Sequence, residues 1–119
     1  MHQIIFYVDK RGKSSLLDYI SELENQKSKD GRIKLTKIRD YIKALAENGT
    51  YLPENYVKHL DGEIWELRPI SDRILFAGWV DGAFVLLHCF EKKTQKTPQR
   101  EIEQAKRELQ DFKERNREK

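Results

Sequence analysis

Hydrophobic positions in the first half of the chain recur at helical spacing after one short apolar run. Residues 3–8 are β-branched and aromatic and predict a strand. A first helix, with a serine at 14–15 as its N-cap, has an apolar face formed by Leu16, Leu17, Ile20 and Leu23. A second helix over residues 32–47 has its apolar face at Leu35, Ile38, Ile42 and Leu45. Asn48-Gly49 ends it, because glycine readily adopts positive φ, and we expect the two helices to form an antiparallel pair.

After Pro53 the pattern changes to short strands separated by turn residues. Three strands are predicted, at Glu63–Arg68, Arg73–Val80 and Ala83–Phe90. Asp61-Gly62 marks a turn before the first of them, and Asp81-Gly82 predicts a two-residue hairpin between the other two. The last strand is apolar on both faces, which predicts a central place in the sheet.

A final helix is predicted from Thr97-Pro98, with Thr97 as N-cap and Pro98 at the first helical position. Its buried stripe is Ile102, Ala105, Leu109 and Phe112. The order β-α-α-β-β-β-α indicates an α+β fold, with an N-terminal helix pair and a C-terminal helix on one face of an antiparallel-rich sheet. The opposite face is then open for binding. We expect residues 1–112 to form a single domain and residues 113–119 to be a charged, flexible tail.

Composition excludes several classes of protein. Hydrophobic residues make up 38% of the 119 residues and charged residues 36%, as in a globular domain with solvated helix faces. Cys89 is the only cysteine, so an intrachain disulfide is excluded and a reducing compartment is favoured. The start of the chain is typical of a strand rather than a signal peptide. No apolar segment approaches the ~20 residues that cross a bilayer, so we expect a cytoplasmic protein without membrane contact.

Charge is concentrated near the end of the chain. From Lys92 onwards, ten lysines and arginines stand against six acidic residues, a net charge of +4, whereas the whole chain carries +3. Lys92, Lys93 and Lys96 lie between the last strand and the last helix. Backbone N–H groups at a helix start attract anions and lysines add full charges. This segment therefore predicts a phosphate site, and RNA or DNA as the ligand; the alternative is solvated loop charge.

Internal cleavage of RNA requires a base for the 2′-hydroxyl, a cation for the pentacoordinate phosphorus and an acid for the leaving oxygen. Arg68 closes one predicted strand and Arg73 opens the next, so both lie at the same end of the sheet. Arginine matches phosphate oxygens with a permanent charge. The alternative for each is a strand-end arginine paired with Glu66 or Asp72. The cleavage hypothesis requires Arg73 and the lysines to converge on one hollow.

Four other residues are weaker candidates. His88 lies within the last strand, where a satisfied core histidine is the alternative to a phosphate contact. Lys58 and His59 lie on a loop or short strand, and both are candidates for contact with phosphate. For His59, an exposed surface residue without a role is the simpler interpretation. Phe90 is a candidate for stacking on a base. One cysteine and three scattered histidines do not have metal-ligand spacing, and we expect neither a metal nor a cofactor.

Three segments together resemble the HigB branch of the RelE/ParE toxin superfamily, including phage-derived HigB-like proteins. They are Leu60–Arg68, Asp72–Phe76 and Leu87–Pro98. In that branch a Gly-x-x-Trp-Glu-Leu-Arg strand, an Arg-Ile-Leu strand and a Phe-x-Lys-Lys-x-x-x-Thr-Pro loop follow one another. The resemblance covers roughly residues 1–112 and implies a RelE-like fold.

The resemblance implies the toxin of a type II toxin–antitoxin system. Such toxins cut mRNA in the ribosomal A site without a metal and so inhibit translation. A HigA-like helix-turn-helix antitoxin neutralises the toxin, and operator DNA is bound only through that antitoxin. Carried over by motif, Arg73 stabilises the transition state, while Lys92, Lys93 and Lys96 contact phosphate or transfer protons. Arg68 matches a recurrent strand arginine.

The chain departs from RelE at two places. RelE has lysines on the strand before its strand arginine, where this chain has Ile64 and Glu66, and a tyrosine of its last helix has no match. Lys93 is the candidate general base, ahead of Lys92 and His88. Two other functions stay open: a ParE-like, non-enzymatic inhibitor of a protein such as gyrase, and a nucleic-acid-binding module without chemistry.

Overall fold

The computed structural model describes residues 1–116, which form a mixed α+β fold of five strands and three α-helices. In chain order the elements are β1 (Ile4–Phe6), α1 (Ser15–Asn25), α2 (Lys29–Asn48), β2 (Val57–Asp61), β3 (Ile64–Leu67), β4 (Asp72–Gly78), β5 (Phe84–Glu91) and α3 (Gln99–Arg115). The strands lie in the order β1-β5-β4-β3-β2. β1 is parallel to β5, and the other neighbouring pairs are antiparallel.

Serine caps determine where the first two helices begin. The Ser14 hydroxyl accepts a hydrogen bond from the Leu17 N–H at 3.2 Å, which confirms the predicted N-cap of α1. The Ser28 hydroxyl accepts from the Gly31 N–H at 3.1 Å, so α2 begins at Lys29 instead of residue 32. Gly49, with a φ of 62°, caps the end of α2 as predicted.

The sheet has a further strand, β2, where the sequence pattern left open a loop or a short strand. β2 pairs with β3 in an antiparallel hairpin, and Gly62 in the connecting turn has a φ of 55°. Because β2 is an edge strand, Lys58 and His59 are exposed and only Val57 is fully buried. A strand with so little buried surface has no clear alternation of apolar and polar residues.

The other predicted strand features are confirmed. Asp81 and Gly82 both have positive φ, 58° and 74°, and the Ala83 N–H donates to the Val80 carbonyl at 3.1 Å. This is the two-residue turn expected between β4 and β5. β5 lies between β1 and β4, so its apolar residues are covered on both faces.

Helices cover both faces of the sheet, so the expectation of one open face is wrong. On one face, α1 and α2 pack against the sheet in a core that includes Leu16, Leu23, Leu35, Ile38, Leu45, Ile74, Phe76 and Leu86. On the other face, α3 forms a second core with Ile64, Leu75, Ala77, Val85, Leu87, Ala105, Leu109 and Phe112. β4 and β5 are apolar on both sides, and the stripe of α3 covers the side that the helix pair leaves bare.

The ends of α3 also differ from the prediction. Thr97 is not the N-cap: its hydroxyl donates to the Glu66 carboxylate instead, and Pro98 occupies the cap position. A charged acceptor gives the stronger hydrogen bond. The helix continues beyond Phe112 to Arg115, where Lys113 lies 2.6 Å from the Glu63 carboxylate. Residues 117–119 of the expected tail lie outside the described residues.

Candidate functional site

A basic hollow of about 280 Å³ lies at one end of the sheet, beside the start of α3. Its walls come from β2, β3, the loop that leads from β5 into α3, and the first turn of α3. The polar and charged lining residues that matter here are Lys58, Glu66, Arg68, Lys92, Lys96 and Thr97. Four cations therefore surround one carboxylate, a charge distribution suited to an anionic ligand.

Strand register brings these side chains together. Lys58 of β2 is directly opposite Glu66 of β3, and Arg68 follows Glu66 by two residues, on the same face. The pairing of Leu67 with Ile74 continues toward Arg68 and Arg73, which lie at the same end of the sheet as predicted.

Two hydrogen bonds attach the lysine loop to the strands. The Lys92 N–H donates to the Ser71 carbonyl at 2.7 Å, between β3 and β4. At the other end of the loop, Thr97 donates its hydroxyl hydrogen bond to Glu66. The loop is thereby anchored to the sheet beside both arginines, which places Lys92 and Lys96 in the lining of the hollow.

Glu66 forms the floor of the basic hollow. The residue is only 2% exposed, and one carboxylate oxygen lies 3.4 Å from Arg68 Nε and 3.8 Å from Arg73 Nε. A buried carboxylate requires compensating charge and hydrogen bonds, which two guanidinium groups and the Thr97 hydroxyl supply. The sequence named Glu66 only as an alternative ion-pair partner of the arginines, not as a residue of the site. The available signal was a charged residue at an inward-facing position of an apolar strand.

Arg73 lies behind Glu66 and does not line the hollow. It is 7% exposed, and its Nη1 donates to the Ile70 and Asp72 carbonyl oxygens, both at 2.8 Å. Burial lowers the pKa of the Arg73 guanidinium, an effect that the nearby Glu66 charge opposes. Its Nε has no hydrogen-bond partner within residues 1–116. Arg73 therefore does not share an open hollow with the lysines, so the prediction that they converge is wrong. The alternative, a strand-end arginine beside Glu66, is what the structure shows.

The predicted lysines divide into two groups. Lys58, Lys92 and Lys96 line the hollow, whereas Lys93 is exposed and lies outside its lining. Arg68, with a side chain 22% exposed, is the guanidinium that reaches the hollow. Its Nη1 also donates to the Glu54 carbonyl at 3.0 Å, which fixes its direction.

His88 and Phe90 lie away from the hollow. His88 is 2% exposed beneath α3, with Nδ1 2.6 Å from Glu108 and Nε2 3.0 Å from Glu101. Burial alone would lower the pKa of His88, but the two carboxylates outweigh it and the net shift is upward. Phe90 is half-buried against the α3 core. His88 and Phe90 therefore both help to pack α3 on the sheet.

The described part of the chain shows neither a metal cluster nor a membrane-spanning helix. Within residues 1–116, no group of three or more His, Cys, Asp or Glu side chains is arranged to hold a metal ion. None of the helices in that range combines the length and apolar character needed to cross a membrane.

A family model described as "Phage derived protein Gp49-like (DUF891)" matches residues 18–110, which is more than half of the chain. The chain belongs to this Gp49-like family. No curated protein matches the chain. The Gp49-like family is associated with toxin–antitoxin systems and is related to RelE-like toxins. The matched segment contains every residue that lines the basic hollow.

Proposed function

We propose that this Gp49-like protein is the toxin of a type II toxin–antitoxin system, of the HigB branch, and that it cleaves mRNA in the ribosomal A site. The observation that carries the proposal is a buried carboxylate, Glu66, 3.4 Å and 3.8 Å from two guanidinium groups in a hollow with three lysines. Such a site combines a proton acceptor with several phosphate-binding cations. Those are the groups that RNA cleavage by its own 2′-hydroxyl requires.

The first step of the proposed reaction uses Glu66 as general base. Its carboxylate takes the 2′-hydroxyl proton while the 2′-oxygen forms a bond to phosphorus. Arg68, which reaches the hollow, donates to the phosphorane oxygens as charge builds up on them. Arg73 is a positioning residue in this scheme, because its guanidinium lies behind the carboxylate and holds it in place.

The second step breaks the bond between phosphorus and the 5′-oxygen. Lys92, which lines the hollow, supplies the proton to that oxygen from its ammonium group, and a 2′,3′-cyclic phosphate remains on the upstream fragment. Lys58 and Lys96 bind the flanking phosphates. Lys93, exposed beside this group, is assigned to the surrounding RNA rather than to proton transfer.

A HigA-like antitoxin and the ribosome are the proposed partners. The family's association with toxin–antitoxin systems supports an antitoxin, and the resemblance of the strand and loop motifs supports the ribosome-bound mRNA. Among the described residues, the hollow is the place where a nucleotide meets Glu66 and the cations together. Binding of the antitoxin over the hollow or over the surface that enters the ribosome would neutralise the toxin.

The test is cleavage of mRNA on translating ribosomes, with 5′ ends mapped for the parent and its variants. Glu66→Gln keeps the shape and an acceptor for Thr97 but removes the base, and we expect about 10²–10⁴-fold slower cleavage. Arg68→Ala is expected to lose about 10²–10³-fold. Lys37→Ala, an exposed lysine of α2, is the matched control and should cut like the parent.

Two results would overturn the proposal. One is a folded Glu66→Gln protein that cuts at the parental rate. The other is a parent that makes no mRNA cuts on translating ribosomes; breaks in DNA without mRNA cuts would instead support a gyrase inhibitor.

A further inference from the structure

A second cavity, of about 380 Å³, lies on the opposite face of the sheet from the basic hollow. We call it the acidic pocket and define it by six of its lining residues: Tyr19, Asp30, Lys34, Asp72, Cys89 and Glu91. It opens between the helix pair and the end of β5. Asp72 and Arg73 are neighbours on β4, so their side chains point to opposite faces, and the two cavities share one end of the sheet.

Asp72 has an unused hydrogen-bond acceptor at the base of this pocket. The residue is 2% exposed, and its Oδ1 accepts a hydrogen bond from the Tyr19 hydroxyl at 3.1 Å. Its Oδ2 is buried and has no hydrogen-bond partner among residues 1–116. Burial raises the pKa of Asp72, which the Lys34 charge opposes in part. A buried, unpartnered carboxylate oxygen is costly, and a donor that enters the pocket would remove that cost.

The charges around the pocket favour a cationic donor. Asp30, Asp72 and Glu91 face a single cation, Lys34, whose ammonium group is 3.6 Å from the Glu91 carboxylate. Lys34 therefore compensates Glu91 at the rim and leaves the base of the pocket acidic.

The remaining walls are suited to an apolar stem. Leu23 and Cys89 contribute apolar surface between the acidic base and the rim. Burial raises the pKa of the Cys89 thiol to about 12, so it is neutral and adds no charge to the wall. The chemistry of the pocket matches a guanidinium or ammonium group on an aliphatic chain.

We propose that the acidic pocket receives an arginine or lysine side chain of a partner protein, and that this partner is the antitoxin. Glu91 and Asp30 at the rim are exposed, so a segment of protein can lie across the mouth while one side chain enters. The toxin–antitoxin association of the family supplies a protein partner. The proposal uses only that association, and it stands or falls separately from the cleavage reaction on the other face.

The probe is a blocked Ala-Arg-Ala peptide, titrated into the full-length ¹⁵N-labelled protein and followed by amide chemical shifts. An isolated side chain of this size is expected to bind with a millimolar dissociation constant. Shifts should be largest at Tyr19, Asp72 and Cys89. The same peptide with citrulline has nearly the same shape without the charge, and should bind at least about tenfold more weakly.

Substitutions test the assignment to the acidic pocket. Asp72→Asn should weaken binding of the arginine peptide about tenfold, whereas Asp40→Asn, the same change on an exposed residue of α2, should not alter it. Glu91→Gln at the rim provides a second variant, with an expected loss of about threefold, should Asp72→Asn unfold the protein. Agmatine carries a guanidinium group on an aliphatic chain without a peptide. Its titration tests whether the acidic pocket binds a free small cation instead of a protein side chain.

Three results would overturn the inference. They are equal binding of the arginine and citrulline peptides, shifts confined to residues outside the acidic pocket, and agmatine binding at least about tenfold more tightly than the peptide. The last result would assign the pocket to a small molecule. The inference would be supported by shifts that are confined to the acidic pocket and that require both the charge of the arginine and Asp72.

Discussion

Replacement of His88 by leucine tests how α3 is held on the sheet. The imidazole is 2% exposed and hydrogen-bonds Glu108 at 2.6 Å and Glu101 at 3.0 Å, both on α3. A hydrogen bond to a charged group contributes about 1.5–3 kcal/mol. The two glutamate side chains keep 16% and 17% exposure, so water recovers part of the loss. We expect His88→Leu to lower the free energy of unfolding by about 3 kcal/mol.

The size of this loss should depend on pH in a defined direction. The pKa of His88 in the folded protein is raised above its ordinary value of 6.5 by the two carboxylates. Protonated His88 therefore stabilises the fold fully below pH ~6.5, and the contribution disappears as pH rises through the raised folded-state pKa. The difference between the parent and His88→Leu should be larger near pH ~5.5 than near pH ~9.

Urea unfolding at several pH values, followed by circular dichroism, measures both quantities. In a parallel thermal unfolding experiment at the acidic end, we expect the midpoint to fall by about 12 °C, at about 4 °C per kcal/mol for a domain of this size. His59→Leu, the same change at an exposed histidine of β2, is the control and should cost less than about 1 kcal/mol. A difference that stays constant or grows with rising pH would refute the assignment of a charged His88 between the two glutamates.

Three further predictions follow from the same contacts. Arg73→Leu and Glu66→Leu should each lower the free energy of unfolding by about 3 kcal/mol, because each leaves a buried charge without its partner. The double variant should lose less than the sum of the two and should still fail to cleave RNA. Additive losses in urea unfolding would contradict the pairing. The four cations that line the basic hollow predict that log K for binding of single-stranded RNA falls with log salt concentration with a slope of about −3. Lys58→Ala should reduce the magnitude of this slope by about 0.7. An unchanged slope in a filter-binding or anisotropy titration would mean that the RNA binds elsewhere. Cys89 is half-buried and burial raises the pKa of its thiol to about 12, so iodoacetamide should alkylate it at least about 100-fold more slowly in the native protein than in urea; comparable rates would rule out the protected thiol.

Because Arg73 is buried, its substitution is expected to affect stability as well as cleavage. A purely transition-state role, as the resemblance implies, would make loss of this arginine stop cleavage and leave the fold intact. Its burial and its two carbonyl contacts now predict a loss of stability as well. Arg68→Ala is the cleaner probe of phosphate contact, because that side chain is 22% exposed and lines the hollow.

Local features were readable from the sequence because nearby residues determine them. A serine one turn before an apolar face predicts a helix start, and Ser14 has that role. Asp81-Gly82 predicts a tight hairpin because few residue pairs tolerate two successive positive φ angles. The apolar run of β5 likewise indicates burial on both sides.

β2 and the position of α3 were not readable in this way. The edge strand has too few buried residues to show alternation, and it is recognised only by its pairing with β3. The stripe of α3 shows that the helix has a buried face, but not which side of the sheet receives it. That choice depends on the surface left bare by α1 and α2, which lie far away in sequence.

The candidate site shows the same division. The sequence by itself determined that Arg68 and Arg73 share one end of the sheet and that a lysine loop precedes the last helix. Only the tertiary structure decided that Glu66 lies between the arginines, that Thr97 bonds this carboxylate instead of capping α3, and that His88 pairs with two glutamates. The partner of a buried charge is the group that lies close to it in the folded protein, often on another element. Residue type and local spacing do not determine which group that is.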